Sequence, residues 1–91
     1  MSITPIKNQI IDEINIEVDD KINLINDGIP VLDIVNDDFT ILKKYMYRLV
    51  ERNKKHLTVQ QIRLLLDYID REIKEAIDYV IKYNMKKGGA I

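Results

Sequence analysis

Apolar residues recur along this chain at spacings of three and four for most of its length. In the first third they fall at Ile6, Ile10, Ile14, Val18, Ile22 and Ile25, with Ile11 alongside. An α-helix completes a turn every 3.6 residues, so this spacing gathers them on one face. Asp12, Glu13, Asp19, Asp20 and Asn23 fall elsewhere. Thr4-Pro5 reads as an N-cap followed by proline at the first helical position, where the missing N–H has no intrahelical partner to lose. Asn26-Asp27-Gly28-Ile29-Pro30 reads as a stop signal. The pattern therefore predicts a helix over about residues 5–27. Ile16 points away from the stripe. Lys7 and Lys21 interrupt it and must carry their ammonium groups to its edge. The same stretch supports an alternative, because Ile14, Ile16 and Val18 alternate and Asp27-Gly28 is a hairpin signal. Strands at 13–18, 21–26 and 29–35 would then form a short N-terminal β-meander in an α+β fold. Helix is preferred because its start and stop signals agree with its periodicity.

Residues 30–36 read as a short connector of one or two helical turns, after which Asp37 or Asp38 caps a second helix over 38–53. Its stripe is Phe39, Leu42, Met46, Leu49 and Val50. Thr58 then caps a third helix, with Gln61 completing a capping box. Val59, Ile62, Leu66, Ile69, Ile73, Ala76, Val80 and Tyr83 step by 3, 4, 3, 4, 3, 4, 3. This heptad seam predicts one long helix over 59–86, with the first helix lying nearly antiparallel along it. Lys86-Lys87 and Gly88-Gly89 end it, leaving residues 88–91 as a frayed tail. The expected fold is all-α: one domain of 91 residues, a small bundle of three main helices with a long heptad-patterned C-terminal helix.

Composition narrows the class. Hydrophobic residues make up 46% and charged residues 32%, which is a globular rather than a disordered balance. The absence of cysteine excludes disulfides and thiolate metal sites. No apolar run reaches the roughly 20 residues of a membrane span, and Met1-Ser2-Ile3-Thr4-Pro5 lacks the features of a secretory leader. A cytoplasmic protein without membrane contact is the expectation. Charge is strongly segregated along the chain. Residues 1–40 hold nine acids and two lysines, for a net −7; residues 41–63 hold seven Lys or Arg and one acid, for +6; the remainder is neutral.

Chemistry-bearing motifs are scarce. Ser2 and His56 are the only serine and histidine, and a nucleophile needs a base beside it. His56, within Lys54-Lys55-His56, reads as a solvated loop residue. Zinc and calcium ligand spacings are absent, and no glycine-rich phosphate loop occurs. The pairs Asp19-Asp20 and Asp37-Asp38 read as solvation and capping. No catalytic residue, metal site, cofactor or small-molecule substrate is expected.

Two surfaces stand out instead. Lys44, Arg48 and Arg52 recur every four residues on one face of the second helix, extended by Lys54 and Lys55, with Arg63 near and Tyr45 and Tyr47 flanking. Such a face suits an acidic partner or nucleic-acid phosphates. A charged outer face is also the ordinary state of a helix, and the acids of residues 1–40 offer neutralisation within the fold. The second surface is apolar: Leu64, Tyr68, Tyr79 and Tyr83 lie on one flank of the third helix, where they pack against another helix of the chain or against a partner. The expectation is a non-enzymatic adaptor or accessory subunit, acting through protein contacts or homo-oligomerisation within a larger complex such as replication, transcription or phage machinery. Direct nucleic-acid binding by the basic face is the alternative. A third reading is a viral-type inhibitor whose acidic first helix mimics nucleic acid.

Overall fold

A computed structural model describes residues 2–88 and contains only helices and their connections among them. α1 spans Thr4–Asn26, α2 Val31–Asp33, α3 Phe39–Asn53 and α4 Val59–Lys86; a π-helical segment, Ile34–Asp38, joins α2 to α3, and a 3-10 turn, Lys54–His56, follows α3. The chain is an all-α bundle, and the meander reading of residues 13–35 is overturned. Its long dimension of 45 Å is close to the ~42 Å expected of a 28-residue helix at the standard rise per residue. Residues 89–91, most of the expected tail, lie outside the described residues.

The helix ends follow from local hydrogen bonding. At the start of α1 it is the Ser2 hydroxyl, not that of Thr4, that accepts the Thr4 N–H at 3.2 Å, and Thr4 itself is already helical. At the far end, Ile29 N–H donates to the Leu24 carbonyl and Gly28 N–H to that of Ile25, each at 3.0 Å. This is a Schellman closure, and it needs the positive φ that Gly28 adopts, +93°. Thr58 and Gln61 form the capping box at α4: Gln61 N–H reaches Thr58 Oγ1 at 3.1 Å and Thr58 N–H reaches Gln61 Oε1 at 2.9 Å.

Residues 31–53 form a single helical run rather than a connector and a capped helix. Val31, Ile34, Phe39, Leu42, Met46, Leu49 and Val50 are all buried. The step of five from Ile34 to Phe39 would swing an α-helix by roughly 140° off its buried line. The π segment absorbs the extra residue, because its wider turn brings both side chains back to the core. Asp37 and Asp38 therefore cap nothing; the run is entered at Pro30.

Topology is up, down, up. Lys21 meets Asp38 at 3.7 Å while Glu13 and Glu17 share a cleft with Ile41 and Tyr45, and Lys43 meets Asp70 at 3.2 Å while Val35 and Phe39 share a groove with Ile73 and Ile77, so α3 runs antiparallel to both α1 and α4. Lys7 lies over Tyr68, whereas the Tyr83 hydroxyl donates to Asn26. α1 is thus parallel to α4, not antiparallel: short connections reverse the chain twice, and two reversals restore the direction. The buried line of α4 is Leu65, Ile69, Ile73, Ala76, Val80 and Asn84. Its lower end departs from the expected seam, since Val59 is 76% exposed and Leu65 is fully buried. A straight helix drifts against a strict heptad, and Leu65 is the side chain in phase with Ile69. No buried side-chain nitrogen or oxygen among the described residues lacks a partner.

Ile69, fully buried, and Ile16, 57% exposed, give a direct check on this packing. Ile69→Ala should cost about 2–5 kcal/mol in urea unfolding, and Ile16→Ala less than about 0.5 kcal/mol.

Candidate functional site

Lys44, Arg48, Arg52, Lys54, Lys55 and Arg63 are all exposed. The first three share the outer flank of α3 with Ile41 and Tyr45. Lys54 and Lys55 follow in the 3-10 turn. Arg63 is set apart at the foot of α4, in a shallow groove with Val59, Gln60, Leu64 and Asp67. Among the described residues, ion pairs engage Lys21, Lys43, Lys54 and Arg71. Lys54 meets its own neighbour Glu51, while Lys44, Arg48, Arg52, Lys55 and Arg63 meet no carboxylate. Most acids of α1 are likewise without a cation partner among the described residues. Glu17 and Asp38 hold Lys21, at 3.0 and 3.7 Å, but Asp12, Glu13, Asp19 and Asp20 pair with no cation among the described residues. The charge separation written along the chain survives folding as a separation on the surface.

The two tyrosines expected beside the basic strip part company. Tyr45 faces the groove between α1 and α3. Tyr47 lies on the opposite flank, against α4, where its hydroxyl donates to the Asp70 carboxylate. Lys43 donates to the same carboxylate and lies 5.7 Å from the Tyr47 ring. The sequence signal for this arrangement is slight, Lys43 and Tyr47 four residues apart on one helix, because Asp70 reaches them only through the fold. The Tyr47 hydroxyl, with help from Lys43, holds the Asp70 carboxyl below its usual range. The bond to Asp70 raises Lys43. Tyr47 is raised too, by partial burial first and by Asp70 second.

The tyrosine flank of α4 is turned mainly toward α1 of the same chain. Tyr68 and Tyr83 pack against the core. Lys7 and Arg71 lie 4.8 and 5.4 Å from the Tyr68 ring, and Tyr83 donates to Asn26 Oδ1 at 3.0 Å. Leu64 and Tyr79 are exposed but separated by about four turns of helix. Tyr79 borders a cleft of about 360 Å³ between α1 and α4 whose charged lining is Asp19, Glu72 and Glu75.

A cleft of about 300 Å³ between α1 and α3 is lined by Glu13, Glu17, Lys21, Asp38, Ile41, Leu42 and Tyr45. Ile41 is 65% and Tyr45 40% exposed there. Spacing along the chain does not mark this cleft, because Ile41 falls off the α3 stripe and Tyr45 adjoins the cations in sequence.

No family model, curated protein or solved structure matches the chain. Among the described residues no group of His, Cys, Asp and Glu is placed to hold a metal ion, and no helix is long and apolar enough to cross a membrane.

The Asp70 cluster sets a pH dependence. The carboxylate contributes stability above its ordinary pKa, and that contribution is lost as pH falls through its lowered folded value. The Lys43 contribution is complete below its ordinary pKa and is lost as pH rises through its raised one. Tyr47→Phe should return the Asp70 carboxyl toward its ordinary value, measured by NMR titration. Because Asp70 is half exposed, the stability cost at neutral pH should stay below about 1 kcal/mol.

Proposed function

We propose that this chain is a non-enzymatic binding subunit that docks an acidic protein surface on Lys44, Arg48 and Arg52, with Lys54 and Lys55 extending the contact. The observation that supports this reading is the absence of any carboxylate partner for Lys44, Arg48, Arg52 and Lys55 among the described residues, in a chain whose first forty residues hold nine acids. Unpaired cations on one helix flank keep their outward field, which steers a complementary surface into register. Exposed Ile41 and Tyr45 stand on the same flank. Apolar and aromatic anchors supply the affinity that rim charges do not. An acidic and apolar helix of a partner within a larger assembly has the matching chemistry.

A second reading uses the same flank. Tyr45, 40% exposed, offers a ring for base stacking beside cations that suit phosphates. In that case binding falls steeply with salt, because each neutralised phosphate releases counterions.

Fluorescence anisotropy separates the two. A labelled helical peptide of Glu and Leu should bind at low salt, and Lys44→Glu, Arg48→Glu and Arg52→Glu together should weaken it by at least about tenfold. Peptide binding that survives the triple reversal would end the reading. Tight binding of a 20-mer duplex or single strand, with no binding of the peptide, would replace it with the second.

A further inference from the structure

We infer that the acidic surface docked by the 44–52 strip is a second copy of this chain, joined across the face that α1 and α3 present away from α4. The inference rests on the reading of the strip as a docking face and names its occupant. α1 and α3 border an open cleft to which α4 contributes no residue. On α3, positions 41, 44, 45, 48 and 52 fall within a sector of roughly 100°, which carries Lys44, Arg48 and Arg52 around Ile41 and Tyr45. On α1, positions 13, 16, 17 and 20 fall within a matching sector of roughly 100°, which carries Glu13, Asp20 and the Lys21-paired Glu17, with Ile16 at its outer edge. Ile16 is 57% exposed, Ile41 65% and Tyr45 40%. One wall of the face is acidic, the other basic, and both are studded with uncovered apolar side chains.

Such a face is complementary to itself under one rotation. The Lys21–Asp38 contact and the shared lining of the cleft set Glu13 and Glu17 level with Ile41, Tyr45 and the neighbouring cations. A two-fold axis running along the cleft, parallel to the helices, lays the α1 wall of each copy over the α3 wall of the other at the same height. Glu13 then meets Lys44 and Arg48 of the second copy, twice by symmetry, and Ile41 and Tyr45 close over the axis. An axis crossing the helices would set acid against acid and base against base, which is repulsive. Because each wall is used once per copy, the assembly closes at two.

The test is sedimentation velocity from micromolar to millimolar concentration, with circular dichroism to confirm that each variant is folded. The wild-type chain should be a dimer that dissociates as salt rises. Glu13→Arg alone and Arg48→Glu alone should each weaken dimerisation by at least about tenfold. Mixing those two variants should restore it, since one contact then carries the reversed pair and the other the original pair. Ile41→Asp should dissociate the dimer with no such rescue. A wild-type monomer at millimolar concentration, or a dimer indifferent to both reversals, would overturn the inference. A monomer that still binds the Glu and Leu peptide through the strip assigns the partner to a different chain and leaves the docking reading standing. A monomer that binds no peptide removes both.

Discussion

α4 presents a single line of apolar side chains, Leu65, Ile69, Ile73, Ala76 and Val80, that is excluded from water along its whole length. Covering a line of ~22 Å from both sides requires two further helices, and α1 and α3 supply them. That requirement sets the rest of the architecture. With short connections the chain must reverse at each end, so α3 opposes both neighbours and α1 is parallel to α4. The outer sides of α1 and α3 meet nothing but each other. Their open cleft, and the charges along it, are a by-product of both helices turning their apolar stripes toward α4.

The helices themselves were legible in the sequence because their signals are local. Gly28 stops α1 and the Thr58–Gln61 box starts α4, each through hydrogen bonds within a few residues. What escaped depends on phase or on distance. The five-residue step from Ile34 to Phe39 breaks α periodicity, so residues 30–36 resembled a connector, whereas a π turn carries the helix through. The heptad template chose Val59 and Leu66 at the foot of α4, and a straight helix instead brings Leu65 into the core. The direction of α1 against α4 is written in the count of reversals and not in the stripe: two short connections between three helices restore the first direction, whereas a heptad seam is buried equally well in either sense.

The candidate surface divides in the same way. The basic strip is visible as a spacing of four, and the fold leaves it exposed. Whether its cations were neutralised within the fold was beyond sequence, because pairing depends on which helix faces lie side by side. Glu13 and Glu17 border the cleft from α1, but Ile41, Leu42 and Tyr45 are what α3 turns to it, so the α1 acids and the α3 cations Lys44, Arg48 and Arg52 form no ion pair among the described residues. For Tyr47 the opposite holds: it looked like part of the strip and is spent on Asp70. Tyr68 and Tyr83 are likewise occupied mainly by α1.

The parallel pairing of α1 with α4 also sets how much chain each contact closes over. α3 and α4 are neighbours in sequence, and the contact between Tyr47 and Asp70 closes over only 23 residues. The contact between Asn26 and Tyr83 spans 57. Loop closure costs more entropy as the span grows, and contacts distant in sequence slow folding. Of the two helices that cover α4, α3 therefore closes on it across the shorter loop and α1 across the longer one. The acidic wall of the surface thus sits on the helix whose pairing with α4 spans the longer stretch of chain.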